Sequence, residues 1–153
     1  AYYLRQAEAA AAAAAAAQYQ NAIGQHHGGW PVPPQNTRAG RAVAFALSMI
    51  GVPYVWGGAS RRGVDCSGLV MLAWSAAGIG LPHYSGAQFA STVRVPAYAM
   101  QPGDLLFYGS YGDEHVAMYI GRGMMIEAPT FGQRVHITPV RMGYNFAGVR
   151  RPR

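Results

Sequence analysis

Asp65-Cys66-Ser67-Gly68-Leu69-Val70-Met71-Leu72-Ala73-Trp74-Ser75-Ala76-Ala77 is the stretch that decides the architecture. Leu69, Val70, Leu72, Ala73, Trp74 and Ala77 leave hardly a polar stripe, which is the pattern of a mostly buried helix ending at Gly78 or Gly80. Asp65, Ser67 and Gly68 are cap and first-turn residue types, so the helix begins at Cys66. Upstream, Ala39 to Ile50 carries Val43, Leu47 and Ile50 at helical spacing and stops at Gly51, ahead of Pro53. Tyr54-Val55-Trp56 followed by Gly57-Gly58 reads as a short strand or turn, and Trp56 and Trp74 are expected in the core. Downstream the texture changes to β-like runs: Leu105 to Tyr108, His115 to Ile120, Met124 to Glu127, Arg134 to Thr138 and Phe146 to Arg150. Helices first and consecutive strands after them predict an α+β domain, with N-terminal helices packed on an antiparallel sheet of about five strands.

Cys66 is the only cysteine. It cannot form an internal disulfide or a cysteine-based zinc site, and a lone cysteine is ordinarily a small buried hydrophobe. Its place at a helix start argues for another use. There the free N–H groups and the positive end of the dipole favour a thiolate and supply donors for an oxyanion. A thiolate nucleophile needs a base and an orienter. His115 opens the first strand of the hairpin around Gly121-Arg122-Gly123. An odd-length loop centred near Arg122 puts Glu127 on the same face, opposite His115 or one pair away. An acid in the apolar run Met124-Met125-Ile126-Glu127-Ala128 needs a partner, which either His115 or a nearby arginine provides. His136 is an alternative orienter without motif support, and His26 and His27 have none either.

The 153 residues bound the chain at one domain plus a short appendage, and 51% hydrophobic content supplies a core and excludes a disordered chain. No apolar run approaches a membrane span, and no export signal is read in these residues. The net charge of +6 comes from arginine alone, scattered rather than striped, which disfavours nucleic acid and suits approach to an anionic polymer. Residues 1–37 are expected to form an extension: a helix over the alanine run Ala9 to Ala17, then a linker with Gly28, Gly29 and Trp30-Pro31-Val32-Pro33-Pro34. Trp30 should dock on the adjacent domain. Two further readings are that the helix serves a coiled-coil partner, or that residues 18–37 lie across the groove and inhibit it. Residues 38–153 are expected to form the catalytic domain.

From about Arg38 to Arg150 the chain resembles the NlpC/p-sixty cell-wall cysteine peptidases, a papain-like superfamily. The resemblance rests on an ordered set of segments. These are Gly51-Val52-Pro53-Tyr54-Val55-Trp56-Gly57-Gly58, Asp65 to Val70, Leu81-Pro82-His83-Tyr84-Ser85, Gln101 to Tyr108, His115-Val116 and Glu127-Ala128-Pro129. Within the superfamily it is most similar to the mycobacterial-type peptidoglycan endopeptidases that interact with resuscitation-promoting factors. Many members carry a second histidine where Glu127 stands; a carboxylate orients imidazole equally well. The resemblance implies a papain-like NlpC fold with Cys66 as nucleophile, His115 as base and general acid, and Glu127 as orienter. It further implies hydrolysis of peptidoglycan stem peptides, at the bond between D-glutamate and meso-diaminopimelate, with neither cofactor nor metal. Tyr54 would supply an oxyanion donor. Asp65, Ser67 and Ser85 would line the substrate groove, although Asp65 is equally a simple helix cap. His83 is either a substrate contact or a solvated loop residue. A secreted, envelope-located monomer is implied, with other cell-wall hydrolases as partners. Two competing functions are a peptidoglycan-binding module with little turnover and an acyltransferase or amidase acting on another substrate.

Overall fold

A computed structural model describes residues 30–153; the alanine run and the rest of residues 1–29, with the helix expected there, lie outside the described residues. Helix α1 (Arg38–Ser48) starts where the Thr37 hydroxyl accepts the Gly40 N–H at 3.0 Å, and it buries Ala42, Val43, Ala46 and Leu47. A Cβ at Gly40 would run into the Pro33 and Pro34 carbonyls, so only glycine lets the proline segment cross the helix so closely. Helix α2 (Cys66–Ala76) is wedged between α1 and the sheet, which is why Leu69, Val70, Ala73 and Trp74 are all buried. Gly78, at φ +85°, turns the chain away after it.

The main sheet is antiparallel and has six strands rather than about five. In chain order these are β3 (Val93–Val95), β4 (Leu105–Tyr108), β5 (His115–Gly121), β6 (Met124–Glu127), β7 (His136–Pro139) and β8 (Phe146–Arg151), arranged β3-β8-β4-β5-β6-β7. A separate hairpin, β1 (Ala59–Ser60) with β2 (Gly63–Val64), and a six-residue helix α3 (Ser85–Ala90) also went unanticipated. Elements this short carry no usable period. Pairing with β8 holds β3, and the buried Gln88 fastens α3. The β5–β6 loop is a tight turn with Arg122 and Gly123 both at positive φ, and a bulge near Ile120 supplies the odd residue that the loop was expected to contain.

Alternation along the strands gives two apolar faces. Leu105, Phe107, Val116, Met118, Ile120, Ile126 and Ile137 pack under the helices. Leu106, Tyr108, Ala117 and Met125 form a second cluster, covered by Met100, Val140 and Phe146. Trp30 is 3% exposed, and its indole N–H donates to the Ile120 carbonyl at 2.6 Å, so it docks on the domain as expected. That carbonyl lies five residues along β5 from His115, roughly 17 Å at ~3.4 Å per residue. Ala39 next to the proline segment meets Gly103, as does Trp74, far down α2 from Cys66. The segment from Trp30 to Ala39 therefore lies at the end of the domain remote from Cys66; residues 18–29 of the inhibitory reading lie outside the described residues. Trp56 corrects another expectation: it is 76% exposed, not core. The strand-like segment around it wraps the start of α2 and turns at Gly57 (φ +73°), which leaves the indole outside, stacked on Phe131.

Candidate active site

The start of α2 is built by its own sequence. Asp65 is the N-cap, its Oδ1 accepting the Gly68 N–H at 2.7 Å, while its Oδ2 accepts the Gly57 N–H at 3.0 Å. One carboxylate thereby fastens both the helix and the glycine turn beside Cys66. Gly68 is needed because a Cβ there would strike the Gly58 carbonyl and crowd His83. Cys66 is the first residue of the helix and partly exposed, so its own N–H belongs to the turn that has no partner within the helix.

Strand register brings the next two groups together. Met118 pairs with Ile126 and Tyr119 with Met125; continued one step, Glu127 lies beside Ala117, on the same face as His115. His115 Nε2 meets Glu127 Oε1 at 2.7 Å. With Nε2 committed, the ring nitrogen left for the sulfur of neighbouring Cys66 is Nδ1. Burial works against a charge on His115, but hydrogen bonds to Cys66 and Glu127 and their negative charge outweigh it. Its pKa rises from 6.5 to about 9. Burial likewise favours a neutral Glu127. Hydrogen bonds from His115, His136 and Arg141 prevail and hold its carboxyl well below the usual range.

Both partners weighed for Glu127 in the sequence are present. Arg141 grips it with a fork, Nη2 to Oε1 at 2.7 Å and Nη1 to Oε2 at 2.9 Å. His136 reaches Oε2 at 2.9 Å, so it touches the carboxylate rather than His115, which its reading as an alternative orienter had required. The sequence offered an arginine partner but not which one, nor that it would fork both oxygens. The one available signal was an acid set in the apolar run Met124-Met125-Ile126-Glu127-Ala128, which burial obliges to find partners.

Tyr54 belongs to a segment that extends the sheet edge, its N–H donating to the Gln133 carbonyl at 2.9 Å. Burial first, then the charges of Cys66 and Asp65, push its hydroxyl above the ordinary value of 10, so it stays a neutral donor beside the thiol. His83 is not free in solvent: Nε2 meets Asp65 Oδ1 at 2.8 Å. Ser67 turns its hydroxyl to the same oxygen at 3.3 Å, and Ser85 is buried at the start of α3, outside the Cys66–His115–Glu127 line. Gln88, which no motif marked, donates to the Ser67 and Pro82 carbonyls and ties the His83 loop to the first turn of α2.

Comparison with known proteins gives a consistent answer. Peptidoglycan endopeptidase RipA of Mycobacterium tuberculosis is 44% identical over 108 residues, 62% of this chain but only 23% of RipA. RipB of the same organism is 38% identical over 127 residues, 72% of this chain and 52% of RipB. The chain thus spans from about a quarter to about half the length of these relatives. The solved structure of the peptidoglycan hydrolase RipB superposes with a TM-score of 0.69 at 34% identity, covering 88% of this chain and 77% of that one. RipD of Mycobacterium tuberculosis, described as a non-catalytic domain protein adapted to peptidoglycan binding, superposes at 0.67 with 31% identity, covering 74% and 95%. The NlpC/P60 family model matches residues 51–151, which include every group of the site from Tyr54 to Arg141, and the chain belongs to the NlpC/P60 family.

Proposed function

We propose that this domain is a cysteine endopeptidase that hydrolyses peptidoglycan stem peptides at the bond between D-glutamate and meso-diaminopimelate. The single observation that carries the reading is the His115–Glu127 hydrogen bond with Cys66, the first residue of a helix, beside the same imidazole. Cys66 Sγ, as the thiolate, attacks the scissile carbonyl carbon. The oxyanion is received by the Cys66 N–H and the Tyr54 hydroxyl. His115 Nδ1 gives its proton to the leaving amine of diaminopimelate, the carbon–nitrogen bond breaks, and a thioester remains on Cys66. Water, deprotonated by the same imidazole, attacks the thioester and frees the glutamyl carboxylate and the thiol. Glu127 holds the ring orientation and offsets the imidazolium charge throughout.

Asp65, Ser67, Ser85 and His83 belong to the groove wall in this reading, with Asp65 both cap and polar contact. The named peptidoglycan endopeptidases among the relatives support the substrate class, and the excess positive charge suits an anionic wall. We place the protein in the cell envelope on the same grounds. RipD gives substance to a binding-only reading, but a binder has no use for an imidazole wired between a thiol and a carboxylate. Incubating the domain with defined tripeptide and tetrapeptide muropeptides and weighing the products tests the proposal. Fragments ending in D-glutamate support it. Cleavage elsewhere moves the bond, and retention of intact muropeptide without turnover establishes the binding module.

A further inference from the structure

The contacts around Glu127 go beyond what an orienter needs. A carboxylate offers about four lone-pair directions. Glu127 has four contacts: His115 and Arg141 Nη2 at Oε1, His136 and Arg141 Nη1 at Oε2. The last torsion of a glutamate is soft, so one hydrogen bond to His115 would leave the carboxylate plane free to rotate. A planar fork on both oxygens removes that freedom.

Arg141 lies in the irregular segment after β7, and Tyr108 supports it there. The Tyr108 hydroxyl donates to the Arg141 carbonyl at 2.8 Å, and the guanidinium lies 5.4 Å from the centre of the Tyr108 ring. Tyr108 is buried in β4 opposite His115, the two rings 5.6 Å apart, with Phe146 on its other side. A single aromatic side chain therefore braces His115 and Arg141, the two groups that share Glu127 Oε1.

We propose that Arg141, held by Tyr108, is a positioning residue for the Cys66–His115–Glu127 line, fixing the plane of the Glu127 carboxylate and moderating the negative charge that His115 feels. The inference rests on the catalytic reading above. It assigns Arg141 no contact with substrate. The titratable and charged groups that face the carboxylate and imidazole are Cys66 from α2, Tyr108 from β4, His136 from β7 and Arg141 itself.

Two consequences separate geometry from charge. Arg141→Lys keeps a positive charge but loses the fork; Arg141→Gln loses both. With the guanidinium gone, His115 faces a less neutralised carboxylate and holds its proton more tightly. The test reads the His115 imidazole titration by NMR, alongside kcat and KM on a muropeptide. In Arg141→Gln the His115 midpoint moves up and kcat falls by about 100-fold, the usual cost of slight misplacement, with KM little changed. In Arg141→Lys kcat falls while the midpoint stays near that of the wild type. Tyr108→Phe, which removes only the hydroxyl and keeps the ring, produces a smaller shift in the direction of Arg141→Gln. It carries the test should Arg141→Gln fold poorly. An unmoved midpoint in Arg141→Gln, or in Tyr108→Phe where that variant stands in, overturns the proposal, as does wild-type kcat in Arg141→Lys. Absence of turnover in the wild type would instead refute the catalytic reading, while the NMR midpoints still decide whether Arg141 governs the Glu127–His115 pair.

Discussion

Two carboxylates of this domain are each 2% exposed and gripped by an arginine fork, yet they serve different ends. Asp104 takes Arg151 Nε at 2.7 Å and Nη2 at 2.9 Å, and its remaining capacity goes to the Gln101 N–H at 2.8 Å. It closes a turn and ties β8 to the start of β4. Glu127 takes a fork from Arg141 through Nη1 and Nη2, and its remaining capacity goes to two imidazoles. An arginine fork makes a buried carboxylate tolerable wherever it occurs. What the carboxylate does is decided by the third and fourth partners: a backbone amide makes a fastener, and a titratable ring makes, in the proposed mechanism, part of a reaction centre.

Substitution of each acid by its amide should therefore have opposite signatures. The largest effect is expected from Glu127→Gln. An amide turns an N–H2 against one arm of the Arg141 fork in either orientation, and loss of the correct tautomer and charge should reduce kcat by about 10³- to 10⁴-fold. Asp104→Asn should destabilise the fold by about 2–3 kcal/mol, discounted because Arg151 is partly exposed, and leave kcat of the folded enzyme within about twofold. Thermal melts paired with kinetics on both variants check the contrast. Equal kinetic losses would mean that the two sites are not distinct in kind.

The second expected difference is in pH. His115 titrates at about 9 in the folded protein against 6.5 unfolded, so the fold binds the extra proton between these values. Its contribution to stability is complete below 6.5 and is lost as the pH rises through 9. The proton-donating form of the ring disappears over the same range, so kcat/KM should fall on the alkaline side with a midpoint near 9. Cys66→Ala removes the sulfur that raises the His115 value and should move its NMR midpoint down. Asp104→Asn should leave that midpoint in place. The smallest effect is expected from His136→Gln. Removing one of four contacts while the fork remains should change kcat by about fivefold, near the ~1 kcal/mol of a single hydrogen bond.

The same contrast explains what the sequence could convey. The helix starting at Asp65-Cys66 and the hairpin carrying His115 and Glu127 were legible because cap residues, apolar period and turn glycines all lie within a few positions of one another. Arg141 was not. It sits in an irregular stretch fourteen residues beyond Glu127, and only the tertiary fold turns its side chain onto the carboxylate. Trp56 misled because a large aromatic near an apolar strand usually lies inside, whereas the turn at Gly57 points it outward. The strands β3, β1 and β2, of two or three residues each, exist only because a longer neighbour or a tight turn holds them. Trp30 was readable as docked, but its acceptor, the Ile120 carbonyl ninety residues away, was not.

The account turns on Cys66 being the nucleophile of this line, and one paired measurement bears on it most directly. Wild-type protein and Cys66→Ala, shown by thermal melting to be equally folded, are compared for turnover of the same defined muropeptide. The account predicts cleavage by the wild type and a loss of at least about 10⁴-fold in the variant, since removal of a nucleophile leaves only binding and the oxyanion donors. Turnover by Cys66→Ala within about tenfold of the wild type, a gap far below the 10³ or more that an essential nucleophile commands, would contradict it.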